Sequence, residues 1–152
     1  MRKLHEINGR RAALLALCLV LALTMGLTAC GQKAEEETDG GETIELPVAD
    51  GTVLGEGEKS FTFVIADKEG AETTLEIHTD AESVGDALSQ LGLIEGEEGQ
   101  YGLYVKSVNG IEADYDKDGV YWAFYIDGEY ALTSVDATEV TDGAVYAFRV
   151  EK

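Results

Sequence analysis

The sequence is short of the residues that staple, bend or ligate a chain. Its 152 residues include two cysteines, one proline, two histidines and one tryptophan. Cys18 sits inside an apolar run near the start and Cys30 directly after it, so the part that follows has no disulfide to rely on. With His78 alone in that part and no cysteine beside it, zinc lacks its ligands. Nucleophilic catalysis lacks its parts too, because no recognisable motif surrounds the single histidine. The glycines scatter over turns and form no phosphate-cradling loop. The chain is therefore not expected to be an enzyme. Basic residues are also scarce, 11 Lys+Arg against 30 Asp+Glu for a net charge of −19. That balance excludes nucleic-acid binding through phosphates and attraction to anionic lipid.

One long apolar run is present, Ala12 to Met25, behind the positive residues Arg2, Lys3, Arg10 and Arg11. It is too short for a comfortable membrane span and has the layout of an export signal. It ends in Leu27-Thr28-Ala29-Cys30, the form of a bacterial lipobox. The expectation is a lipoprotein signal peptide over 1–29 and a lipid-modified Cys30. The protein would then sit on the extracytoplasmic face of a bacterial cell membrane, touching lipid through its anchor only. Loss of 1–29 would remove four basic residues and Glu6, leaving 7 Lys+Arg, 29 Asp+Glu and a charge of −22. Residues 30–57, with Glu35-Glu36-Glu37 and Asp39-Gly40-Gly41, read as a flexible acidic tether, Ile44 to Val48 being a candidate edge strand. The folded domain is expected over 58–152.

Period-two alternation marks the strands. Phe61, Phe63 and Ile65 alternate with Thr62 and Val64, and Leu75 and Ile77 with Thr74, Glu76 and His78, across the turn Asp67-Lys68-Glu69-Gly70. Ser83 to Leu91 is a helix capped by Ser83, with Val84, Ala87, Leu88 and Leu91 on one face and Gly92 placed to end it. Glu95 to Gly99 reads as an acidic loop. Leu103 and Val105 mark a third strand, Val120 to Ile126 a fourth and Val145 to Val150 the last. The fold class expected is α+β, β-grasp-like, a mixed sheet of about five strands covered by one helix.

Three groups of residues carry a resemblance: SVGDALSQLG at the helix, YGLYVKSVNG at the third strand, and YWAFYIDGEYALTSV with VTDGAVYAF at the final pair. Together they resemble the transcobalamin C-terminal-like domain, a bacterial lipoprotein family of unassigned function. That domain is similar to the small cobalamin-contacting domain of transcobalamin and intrinsic factor. The resemblance implies the β-grasp fold and a corrinoid such as cobalamin as ligand. It leaves out the large helical domain that completes the animal site, and Ser134 stands where relatives often carry glycine.

Alternation places Tyr104, Lys106, Tyr121, Tyr125, Ala147 and Arg149 on the sheet face away from the helix, with Tyr130 as an extension. Tyrosines beside cations make an amphipathic patch suited to a flat, partly polar ligand or a protein partner. They equally make good cross-strand pairs on a solvated face. Trp122 reads first as a core residue and second as a ligand contact. Asp114, Asp116 and Asp118 have the spacing that opens a calcium loop, although Tyr125 stands where its bidentate Glu belongs; a solvated acidic turn is the other reading. The candidate contacts are thus Tyr104, Tyr121, Trp122, Tyr125, Tyr130 and Arg149. The expected function is capture of a small molecule, with an uptake transporter as a candidate partner. The alternative is a surface module that docks a partner protein.

Overall fold

A computed structural model describes residues 44–152. The expected signal peptide, Cys30 and the first part of the tether lie outside those residues. The strands are β1 (Val53–Gly55), β2 (Lys59–Ala66), β3 (Glu72–Thr79), β4 (Ile94–Gly99), β5 (Gly102–Val108), β6 (Ile111–Glu112), β7 (Tyr121–Ile126), β8 (Glu129–Tyr130) and β9 (Val145–Glu151). Two α-helices, α1 (Val84–Gln90) and α2 (Tyr115–Asp118), and a 3-10 turn at Val135–Ala137 complete the fold. None of these helices is long and apolar enough to cross a membrane.

The strands build two sheets. One has six strands in the order β1-β3-β2-β9-β7-β8, and the other three in the order β4-β5-β6. The expected single sheet of about five strands under one helix is corrected accordingly. The first hairpin forms because the Asp67 carboxylate accepts the N–H groups of Glu69 and Ala71 at 2.9 and 2.8 Å, holding the chain in a tight reversal. The last strand, β9, inserts between β2, to which it is parallel, and β7, to which it is antiparallel. Phe63, Ile65, Phe124, Tyr146 and Phe148 thereby share one face and bury against α1.

The helix starts and stops where its sequence directs. Ser83 Oγ accepts the Asp86 N–H at 3.0 Å, and Gly92 takes φ 68° beyond the last turn. There Leu93 N–H donates to Leu88 O at 2.9 Å and Gly92 N–H to Ser89 O at 2.9 Å, which satisfies carbonyls the helix leaves open.

Two sequence expectations are corrected by pairing between strands. Glu95 to Gly99, read as a loop, is most of β4 and pairs with β5 through a bulge at Glu95/Gly96. Five of its six residues are exposed, so no apolar alternation announces it. The second correction concerns residues 44–57, read as tether. Ile44, Val48 and Leu54 pack on the core, and β1 runs parallel to β3 with Leu54 opposite Ile77. The folded domain therefore begins before Glu58.

Candidate functional site

The expected tyrosine patch divides between the two sheets. Tyr121, Tyr125 and Arg149 share the face of the six-stranded sheet turned away from α1, and Tyr130 joins them because it pairs directly with Tyr125. Tyr104 and Lys106 belong to the three-stranded sheet, where the Lys106 ammonium lies 6.0 Å from the Tyr104 ring centre. Alternation assigns faces within one sheet; it does not assign strands to sheets.

On the first face the polar groups satisfy one another. The Tyr125 hydroxyl donates to a Glu151 carboxylate oxygen. The Arg149 guanidinium lies 5.2 Å from the Tyr125 ring centre and 3.9 Å from the Glu72 carboxylate. The Tyr130 ring meets Tyr125 edge-on at 5.6 Å. The hydrogen bond to Glu151 raises the Tyr125 pKa, with burial and the nearby Glu151 charge adding to it. Burial first, then Tyr130 and Glu151, raise that of Tyr121.

A pH dependence follows. A raised folded pKa means the native state holds its proton more tightly than the unfolded chain. The resulting stability is present in full below the ordinary tyrosine value of about 10 and is lost as pH rises through the folded value. In a spectrophotometric titration of the seven tyrosines, Tyr125→Phe and Tyr121→Phe should each remove amplitude from the latest phase. Loss from the earliest phase instead would show these hydroxyls to be free.

Trp122 is 6% exposed and its indole N–H donates to the Ile111 carbonyl at 3.2 Å. The ring packs in the core, the first of the two readings of Trp122, and its N–H bonds the backbone of β6.

The three aspartates of the calcium candidate stand in α2 and at its N-terminal cap. Asp114 caps α2, accepting the Asp116 N–H at 3.0 Å, and its other oxygen lies 3.7 Å from both Lys106 and Lys117. Asp118 lies 3.5 Å from Lys68. Partial burial works against the charged form of Asp114, but the Asp116 N–H and the two lysines hold its pKa below the usual value. A calcium loop turns its carboxylates inward on one ion; here Asp114 caps a helical turn, and lysines lie beside Asp114 and Asp118. Among the described residues no three Asp, Glu, His or Cys side chains converge to hold a metal.

A groove not anticipated from the sequence lies between the start of β5 and the segment after β8. Its volume is about 450 Å³, with Tyr101, Leu103 and Tyr104 on one wall and Leu132, Thr133 and Ser134 on the other. Leu132 is 95% exposed, Tyr101 86% and Tyr104 40%. No Asp, Glu, Lys, Arg or His lines it. Gly102 (φ 108°) lets the walls approach, since a Cβ there would overlap the Ser134 hydroxyl. Ser134 itself, where relatives often carry glycine, has φ −73°, extended backbone that serine adopts freely. Of the predicted contacts only Tyr104 lines this groove. The signals that could have found the rest were Leu132, an apolar residue stranded in a polar segment, and Tyr101 in a glycine-rich loop. A smaller hollow of about 210 Å³ lies beside Lys106, Glu97 and Asp114. Both of its cations are already paired, Lys106 with Glu97 at 2.9 Å and Lys117 with Asp114 at 3.7 Å.

Residues 81–152 match a family model described as Domain of unknown function (DUF4430). No curated protein matches the chain. Among solved structures, a candidate metal-binding protein from Ruminococcus gnavus ATCC 29149 is 33% identical, with a TM-score of 0.59 over 62% of this chain and 98% of that one. Haptocorrin in complex with Cbi is 19% identical, with a TM-score of 0.47 over 65% of this chain and 26% of its own. The chain thus spans about a quarter of haptocorrin. Given 33% identity across nearly all of the Ruminococcus gnavus chain, this protein belongs to one family with that protein.

Proposed function

We propose that this is a membrane-anchored extracytoplasmic lipoprotein whose domain binds a small molecule in the groove between Tyr104 and Leu132, by binding alone, with no bond made or broken. The observation that carries the reading is the groove's lack of charge on a protein of net charge −19. Exposed Leu132 and Tyr101 offer apolar surface, while the hydroxyls of Tyr104, Thr133 and Ser134 offer hydrogen bonds at the edge. Such a site suits an uncharged ligand with one apolar face, because an anion would meet no cation there and would be repelled by the acidic domain. The sequence resemblance to the transcobalamin C-terminal-like family makes a corrinoid the first ligand to test and capture for an uptake transporter its context.

The test is a calorimetric titration of the full-length protein, purified in detergent, with cobalamin and cobinamide and with calcium in parallel. Micromolar binding, about −8 kcal/mol, that weakens about tenfold in Tyr104→Ala and Leu132→Ser would support the reading. Absence of heat with every corrinoid would sink corrinoid capture. Radiolabelled fatty acid should enter the wild type and not Cys30→Ala, which tests the anchor.

The second reading is a protein-interaction module. It is favoured by the gathering of Tyr121, Tyr125, Tyr130 and Arg149 on one sheet face. Tyr121→Ala with Tyr125→Ala would then abolish capture of a protein partner and leave small-molecule binding intact.

A further inference from the structure

We infer that Asp136 is the positioning residue of the groove, the clasp that fixes the separation of its two walls. The inference rests on the groove being the binding site. Asp136 does not line the groove. It stands in the 3-10 turn that follows Ser134, and its Oδ1 accepts the Leu103 N–H at 3.0 Å across 33 residues of sequence. One carboxylate therefore joins the wall of Tyr101, Leu103 and Tyr104 to the wall of Leu132, Thr133 and Ser134.

Two further observations hold Asp136 in place. From the helix side, Gly85 packs so closely that a Cβ there would lie 2.6 Å from the Asp136 Cα. The same helix start is tied to the segment after the turn, Val84 N–H donating to Thr138 O at 2.8 Å and Val140 N–H to Glu82 O at 2.9 Å. From the strand side, Gly102 gives up its Cβ to the Ser134 hydroxyl and the Asp136 carboxylate. The Ser134 hydroxyl, then the N–H groups of Leu103, Asp136 and Ala137, hold the carboxyl below the usual carboxylate range, so it is an acceptor at neutral pH. Asp136 is an exposed residue. A hydrogen bond in contact with water contributes little to global stability, yet it still selects one local geometry for two loops. That contrast separates a positioning role from a structural one.

The experiment uses the full chain and three readouts: thermal stability, hydrogen exchange of the Leu103 amide, and affinity for dicyanocobinamide. Asp136→Ala should speed Leu103 exchange and weaken cobinamide about tenfold each, with a melting temperature within a few degrees of wild type. Asp136→Asn retains an acceptor oxygen and should recover most of both effects. Unchanged Leu103 exchange in Asp136→Ala would overturn the clasp, and so would a melting temperature that falls while affinity holds. Should cobinamide fail to bind the wild type, the corrinoid reading fails on its own. Leu103 exchange and the methyl signals of Leu103 and Leu132 in the Ala and Asn variants then decide the clasp: both sets shifted in Ala and restored in Asn support it, and unshifted signals overturn it.

Discussion

Asn109→Ala should destabilise the domain by about 3 kcal/mol and undock the stretch that leads into β1. Asn109 is 2% exposed and sits at φ 50° in the turn between β5 and β6. Its side-chain amide treats Val48 as a strand partner would, Oδ1 accepting the Val48 N–H at 2.7 Å and Nδ2 donating to the Val48 carbonyl at 3.1 Å. Truncation removes both bonds, at about 1 kcal/mol each, and leaves an alanine in the left-handed region at a cost of about 1 kcal/mol. Asn109→Gly separates these contributions, since glycine keeps the backbone angle; it should cost about 2 kcal/mol. Urea unfolding gives the totals, and hydrogen exchange at Val48, Gly51 and Glu76 shows whether the stretch has come away. The latter two donate to Thr74 O at 2.8 Å and Thr52 O at 3.0 Å, bonds that exist only while it is docked. A loss under 1 kcal/mol with Val48 still protected would mean that Ile44, Val48 and Leu54 hold the segment by packing alone.

The docked stretch also marks where sequence reading stopped. Strands that bury one face announce themselves: Phe61, Phe63 and Ile65 in β2, or Trp122 and Phe124 in β7, alternate and lie where the alternation put them. Local chemistry was equally legible at Ser83, Gly92 and the Asp67 turn, because each acts on residues within a few positions of itself. Val53–Gly55 and Ile94–Gly99 act otherwise. They are strands because a partner accepts them, and glycine marks the closeness of the partner. A Cβ on Gly55 would overlap the His78 carbonyl, and one on Gly96 the Tyr104 carbonyl. Read alone, those glycines look like loop.

The same limit applied to the site. Tyr121, Tyr125 and Arg149 were grouped correctly because β7 and β9 are neighbours, but Tyr104 was added from a strand in another sheet. The spacing of Asp114, Asp116 and Asp118 suits a calcium loop and a capped helical turn alike; the lysines that decide between them come from β5, from α2 itself and from the turn after β2. The groove shows in the sequence only as two stray apolar residues, Leu132 and Tyr101, since its two walls meet through a bond spanning 33 residues.

Gly85→Ala tests that long-range joint with a sign opposite to helix propensity. Gly85 is buried in the first turn of α1, where alanine would ordinarily stabilise by about 1 kcal/mol. Here the added Cβ would lie 2.6 Å from the Asp136 Cα and 2.8 Å from its backbone nitrogen. Backbone atoms cannot swing aside as a side-chain tip does, so the helix or the 3-10 turn must move. Overpacking of this kind costs about 3 kcal/mol at its upper range, leaving a net loss of about 2 kcal/mol after the propensity gain. Ser89→Ala, on the exposed side of the same helix, supplies the control and should stabilise by a few tenths of a kcal/mol, or about 0.5 at most. Thermal melts of the two variants should therefore move in opposite directions. Movement of both upward would show that the turn yields without cost, and Asp136 could not then hold the groove walls from a fixed position. If Gly85→Ala melts lower and also binds cobinamide less tightly, though the substitution lies outside the groove, the effect has passed through Asp136. Tight packing at one glycine would then set the spacing that the ligand meets.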